Sequence, residues 1–226
     1  MTTAIIVAAG KSERMGGTVD KAFLSLGSKP VIAYSLMAFD ACPDIDEIVM
    51  VVRKEQLLAA KGVIQMFGGR KVAAIVAGGA TRQASVSNGL AAANPDTRIV
   101  CVHDGARPCI KPPLISETIQ SAKRVGSGIA ATKVTDTVKQ VDKGQVVTVT
   151  LDRAKVWTVQ TPQTFKFNIL QRALAHADAA DMKFTDEASA VEFMGESVHL
   201  VSTTFPNIKI THVEDIKVAS LLLGIQ

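Results

Sequence analysis

The stretch "AIIVAAGKSERMGG", residues 4–17, decides how the rest of the chain is read. An unbroken apolar run, Ala4 to Val7, stops at Ala8-Ala9-Gly10. A short run of this kind suits a strand covered on both faces. It opens into a basic, glycine-punctuated loop containing Lys11, Arg14, Gly16 and Gly17, with Lys21 just beyond. Small residues at the carboxyl end of a strand let a ligand approach the backbone, whose N–H groups can then point at phosphate. Arg14 adds a planar fork of donors and Lys21 a mobile point charge. Gly10-Lys11-Ser12 does not complete a P-loop, because Ile5 stands where its first glycine belongs. The G-x-G-x-x-G spacing is also missing, which counts against a nicotinamide-dependent oxidoreductase.

Similar apolar runs recur at Ile48–Val52, Val72–Val76, Ile99–Val102 and Ile129–Ala131. Helical patterns lie between them at Val31–Phe39, Gln83–Ala93 and Pro113–Val125. This alternation predicts an α/β fold: a Rossmann-like, mostly parallel sheet with helices on both faces. The pattern changes over residues 134–153, where polar and apolar residues alternate around Asp142-Lys143-Gly144, a hairpin turn. A lone hairpin is marginal in water. It must pack on its own domain or on a second subunit, and we favour a protruding β-arm that embraces a partner. Helices return at Lys166–Ala177 and Glu187–Met194. "NIKIT" alternates as a strand would, with Ile208 and Ile210 on one side and Lys209 on the other. A capping box from Thr211 to Glu214 predicts a last helix that stops at Gly224. The organisation expected is one domain over residues 1–226, with 134–153 as its arm.

Composition narrows the function classes. The chain has 226 residues and a net charge of +4, and only 4% of its residues are aromatic. No clustered basic, aromatic platform for nucleic acid is present, and a small anionic ligand suits such a balance. Three cysteines without C-x-x-C spacing argue against a disulfide framework or a zinc site and point to a reducing compartment. Cys101, inside an apolar run, reads as a buried hydrophobe. No apolar run approaches the ~20 residues of a membrane span, and the amino terminus lacks the pattern of a signal peptide. A cytoplasmic location is expected.

"VAAGKSERMGGTVDKAF" resembles the A-A-G-x-G-x-R-M-x-x-x-x-P-K signature of nucleotidyltransferases that attach CMP to a sugar- or polyol-phosphate. "VAGGATRQASVSNGL", "VHDGARP", "TDTVK", "LDR", "TPQTF", "TDEASAVEFMG" and "NIKIT" follow in the order found in the 2-C-methyl-D-erythritol 4-phosphate cytidylyltransferases of the non-mevalonate isoprenoid pathway. The similarity spans essentially the whole chain. It departs in the first loop, where Ser12 replaces a glycine, Asp20 a proline and Ala22 a glutamine.

The resemblance implies attack by a phosphate monoester on the α-phosphorus of CTP, with release of pyrophosphate. The attacking phosphate is already ionised, so the site needs fixed cations and a divalent metal, Mg2+, rather than a strong base. This fits the absence of a serine–histidine–acid set; His103 reads as structural. By resemblance, Arg14, Lys21 and Lys209 hold the reacting phosphates. Ala8, Ala9, Gly10, Gly79, Ser85 and Asp104 bind the nucleotide, and Asp104 is also the expected metal ligand. Arg107, Thr137, Lys139, Arg153, Thr161 and Thr185 approach the polyol phosphate, the arm residues by crossing to the partner of a homodimer. For Arg107 a structural bridge to Asp104 stays open. Thr185 also reads as a helix N-cap. The rival acceptor is ribitol 5-phosphate, and the rival class a nucleotide-binding regulator without catalysis.

Overall fold

The computed structural model describes residues 1–10 and 20–225. Its centre is a seven-stranded sheet in the order β11-β7-β10-β6-β1-β4-β5. The strands are β1 (Thr2–Ala8), β4 (Glu47–Val52), β5 (Val72–Ala77), β6 (Ile99–Asp104), β7 (Ser127–Lys133), β10 (Trp157–Lys166) and β11 (Leu200–Ser202), while β2 (Ser25–Leu26) and β3 (Lys29–Pro30) pair apart as a short hairpin. Parallel pairings join β1 to β4 and β6, β4 to β5, and β11 to β7. β10 is the antiparallel exception, wedged between β6 and β7.

The unbroken apolar runs follow from burial on both faces. In β1, Ala4, Ile6 and Ala8 join one core with Ile32, Leu36 and Phe39 of α1 (Val31–Ala41) and Ile115 and Ile119 of α4 (Pro112–Val125). Ile5 and Val7 turn to the other face, against Val86 and Leu90 of α3 (Arg82–Ala91) and Leu170 and Leu174 of α5 (Phe167–Ala179). Each of the larger side chains, Val, Leu, Ile or Phe, contributes ~1.5–3 kcal/mol by leaving water. α2 (Leu57–Phe67) packs on the first face and α6 (Glu187–Phe193) on the second. α4 ends as its sequence predicts, at Gly126 in the left-handed region (φ 96°).

The arm forms its own two-stranded sheet, β8 (Lys139–Val141) against β9 (Val147–Thr150), outside the central one. It leaves after β7 and returns into β10, which pair at Lys133 and Trp157. Val141, Val146, Val147 and Val149 are exposed on it.

Three local readings are corrected. "NIKIT" forms no strand. Its alternation is real, since Ile210 is buried, but the segment belongs to no sheet and is tied to the site loop by the N–H of Ile210, which donates to Ala106 O. The last helix, α7 (Glu214–Leu223), is introduced by Asp215: Oδ2 accepts from the N–H and hydroxyl of Thr211 and the N–H of His212, leaving Glu214 outside the cap. The cap of α6 is Asp186, which accepts from Ser189 N, not Thr185. Among the described residues no helix is long and apolar enough to cross a membrane.

Candidate active site

From β1 the chain steps to β4 and β5 on one side, then returns to β6 on the other. Open α/β sheets bind ligands at such a reversal, outside the carboxyl ends of the strands. A cleft of about 570 Å³ lies there. Val7, Ala8, Ala9 and Gly10 from the end of β1, Gly79–Arg82 before and within α3, and Asp104 and Ala106 after β6 form its walls. Asp20 and Lys21 close it from the first loop, Lys209 and Thr211 from the far end of the chain. A second cavity, about 750 Å³, sits at the opposite rim beside Met1, Thr2 and Ile99. Asp44 and Lys123 on its wall pair with each other.

The Gly78-Gly79 turn is built for close approach. A Cβ at Gly79 would lie 2.5 Å from that of Ala84, and one at Gly78 would collide with Ala9. Ser85 holds the turn: its hydroxyl accepts from Gly79 N (3.0 Å) and donates to Thr81 O (2.8 Å). Thr81 caps α3 through Ala84 N, so the positive end of the helix opens on the cleft.

Asp104 is the hub. Its Oδ1 accepts from Arg82 Nε and Nη2 (3.2 and 3.1 Å). Its Oδ2 meets Lys209 Nζ at 2.8 Å and Arg107 Nε at 3.6 Å. Burial opposes ionisation here, but Arg82, Lys209 and Arg107 together hold its pKa far below the usual carboxylate range. Burial likewise works against the charge on Arg82, yet Glu187 and Asp104 outweigh it and keep the guanidinium firmly protonated. Arg107 is pulled down by burial, with Asp104 opposing, while its Nη1 donates to Asn207 O.

Behind the hub stands a neutral post. Asp104 N donates to Thr161 Oγ1 (3.0 Å), leaving that hydroxyl to donate to His103 Nδ1 (3.1 Å). The tautomer with a proton on Nε2 faces Arg107 O at 3.4 Å. Complete burial pushes the pKa of His103 down to about 3, so the ring is uncharged.

One buried carboxylate of the cleft keeps an oxygen in reserve. Asp20 Oδ1 accepts from Ala22 N, whereas Oδ2 has no hydrogen-bond partner. Among the described residues, no three His, Cys, Asp or Glu side chains gather as a metal cage. Both oxygens of Asp104 are engaged by cations; Asp20 Oδ2, buried and with burial raising the pKa of its carboxyl, is the other carboxylate oxygen of the cleft wall that could join a divalent ion bringing its own phosphate and water ligands.

Residues 2–224 match the family model described as IspD, 2-C-methyl-D-erythritol 4-phosphate cytidylyltransferase. The chain belongs to this family. Curated 2-C-methyl-D-erythritol 4-phosphate cytidylyltransferases from Alkaliphilus oremlandii and Dehalococcoides mccartyi are 41% and 44% identical to it. The alignments cover 98% and 97% of this chain and 94% and 95% of theirs. The crystal structure of 4-diphosphocytidyl-2C-methyl-D-erythritol synthase from Anaerococcus prevotii superposes with a TM-score of 0.87 at 33% identity, covering 99% of this chain and 98% of that one. The cytidylyltransferase of Thermus thermophilus gives 0.78 at 30%, with 98% of both chains covered.

Measured against this cytidylyltransferase family, the residues expected from sequence fall into groups. Lys21, Lys209, Ala8, Ala9, Gly10, Gly79, Ser85 and Asp104 line the one cleft, although Lys21 and Lys209 come from opposite ends of the chain. Arg14 lies outside the described residues. Arg107 takes the bridge to Asp104 that the sequence left open. Thr161 is 4% exposed and spends its hydroxyl on His103 and Asp104, which makes it a support within this chain. Thr185 is exposed at the mouth of α6. Thr137, Lys139 and Arg153 sit on or beside the arm, away from the cleft walls; Lys139 donates to Thr150 and Arg153 to Thr135 O. Sequence reasoning assigned no role to Arg82 and only a first-turn position to Glu187. Their pairing joins residues 105 positions apart, a separation no local motif reveals.

Proposed function

We propose that this chain transfers CMP from CTP to 2-C-methyl-D-erythritol 4-phosphate, forming 4-diphosphocytidyl-2-C-methyl-D-erythritol and pyrophosphate for isoprenoid precursor supply. The observation that carries the reading is the convergence of Lys21, Lys209 and Arg82 on one cleft at the carboxyl rim of the sheet. Two phosphates repel one another, and charge then builds on the α-phosphate oxygens as the new P–O bond forms. Fixed cations favour that charge without having to reorganise at the moment of reaction. Asp104 holds Lys209 and Arg82 in place, and its depressed pKa keeps it ionised at any working pH. The Gly78-Gly79 turn presents backbone to the nucleotide base. Water needs no activation and no side chain need act as a base, because the attacking monoester oxygen is already anionic. A divalent ion held with the triphosphate would supply further charge neutralisation, and Asp20, whose Oδ2 has no hydrogen-bond partner, would be its protein ligand.

The arm completes the proposal. Its exposed valines support burial against a second copy, and Thr137, Lys139 and Arg153 then approach the partner's acceptor site. Three free, buried cysteines support a cytoplasmic, reducing setting. The deciding measurement is pyrophosphate release with CTP, Mg2+ and methylerythritol phosphate, against UTP, GTP and ATP, and against ribitol 5-phosphate as acceptor. Equal turnover with ribitol 5-phosphate would reassign the acceptor; no release with either would leave a nucleotide-binding protein without this chemistry.

A further inference from the structure

The guanidinium of Arg82 is gripped from two sides. Its Nε and Nη2 donate to a single oxygen of Asp104, Oδ1, while Nη1 donates to Oε1 of Glu187. Glu187 is 2% exposed, and its other oxygen has no hydrogen-bond partner. A buried carboxylate with one unsatisfied oxygen is costly, and a buried ion pair adds little net stability. Folding alone gives no reason to keep it there.

Its mounting is rigid. Gln163 of β10 donates from Nε2 to Asp186 and accepts at Oε1 from Ala188 N, so both neighbours of Glu187 are tied to the central sheet. Asp186 also caps the helix through Ser189. The carboxylate is thus delivered to Arg82 from a backbone tied to β10, two residues after the exposed Thr185 that the proposed reaction puts beside the acceptor.

We propose that Glu187 is a positioning residue that acts through Arg82. By holding one edge of the guanidinium, it confines Arg82 to Asp104 Oδ1 and keeps Oδ2 as the seat of Lys209 (2.8 Å). The inference rests on the cytidylyl transfer proposed above and extends it. α6, on the acceptor side, sets the cation geometry of the nucleotide side through a chain of alternating charges: Glu187, Arg82, Asp104, Lys209. With the charge at 187 removed, Arg82 is released to chelate both oxygens of Asp104 or to turn towards the triphosphate. The first movement displaces Lys209 from Oδ2, and the second opens Oδ1 to the ammonium; each shifts Lys209 without removing a cation from the cleft. The kinetic signature is a lower kcat with CTP binding kept or tightened.

The test is a mutant cycle on the full chain, read by pyrophosphate release with CTP, Mg2+ and methylerythritol phosphate. Glu187→Gln is expected to lower kcat at least tenfold while the KM for CTP stays within threefold of wild type or falls. Because Glu187 acts only through Arg82, the double variant Glu187→Gln/Arg82→Gln should be no more than twofold slower than Arg82→Gln alone. A Glu187→Gln kcat within twofold of wild type, or losses that multiply in the double variant, overturns the inference. Glu187→Asp, which keeps the charge on a shorter stem, covers failure of the first variant to fold. It should lower kcat three- to tenfold with an unchanged KM for CTP, and wild-type kcat would again overturn the inference. A wild-type chain that releases no pyrophosphate sinks the underlying reaction; an active wild type with multiplying losses sinks this inference alone.

Discussion

Replacing Lys209 by methionine isolates the contribution of one ammonium group. The substitution keeps most of the stem and leaves Ile210, fully buried, to hold the segment against Ala106. Lys209 is a third exposed, so its pair with Asp104 is worth only ~0–1 kcal/mol to the fold. For a protein of this size that is a fall in Tm of about 2–4 °C at most. Asp104 remains ionised, because Arg82 and Arg107 still face it. Catalysis should suffer far more. Loss of one preorganised donor to developing charge costs ~2.7–4 kcal/mol, and each ~1.36 kcal/mol is tenfold in rate, so kcat should fall by about 10² to 10³. Steady-state pyrophosphate release across CTP concentrations, with a melting curve on the same sample, makes the comparison. A kcat within threefold of wild type would refute the assignment of Lys209 to the reacting phosphates. A kcat loss accompanied by a fall in Tm beyond ~5 °C would show that the fold, not the ammonium, was being read.

Lys21→Ala, in the same cleft, should lower kcat at least a hundredfold; a change under threefold removes Lys21 from the mechanism. Gly79→Ala forces a Cβ to within 2.5 Å of Ala84 and should weaken CTP binding at least tenfold by calorimetry, with an unchanged Kd arguing that the turn does not meet the nucleotide. Deleting residues 137–149 should yield a monomer by sedimentation that binds CTP but turns over little, and a fully active monomer would contradict the trans role of the arm. His103 is held neutral, with its pKa lowered by burial from 6.5 to about 3. The unfolded chain takes up that proton first, so its contribution to stability is complete above pH ~6.5 and lost as pH falls from there towards ~3, by about 1.4 kcal/mol per unit. His103→Gln should flatten the denaturation free energy between pH 6 and 4 by roughly that slope relative to wild type; parallel profiles would mean the ring is protonated in the fold.

Much of the architecture was legible because it is local. The runs at β1, β4, β6 and β7 are apolar at every position, as burial on two faces demands, whereas β5, at the sheet edge, carries a similar run only half-buried; α1, α3 and α4 carry their apolar residues at helical spacing. β10 escaped because its sequence, with Pro162 in its middle, lacks the composition of an inner strand, yet β6 and β7 enclose it on both sides. "NIKIT" shows the reverse error. Ile208 and Ile210 alternate with Lys209 because one side meets the α7 cluster and the other the cleft, and no neighbouring strand is needed for that.

The site divides in the same way. Small residues after β1, the Gly78-Gly79 turn and the acid ending β6 are short-range signals, readable because a strand end and a tight turn each dictate their own residue types. The hub around Asp104 is only partly so. Its bridge to Arg107, three residues on, was open to a local reading, but Arg82, Lys209 and Glu187 come from separate elements, and no spacing in the chain relates them. Amino-acid order alone determined which segments bury themselves and where backbone lies open to phosphate, since hydrophobic periodicity and turn chemistry act over a few residues. Strand order and the reversal beside β1 decided which charges meet, because a carboxylate pulls distant cations together only after the sheet has carried them to the same rim.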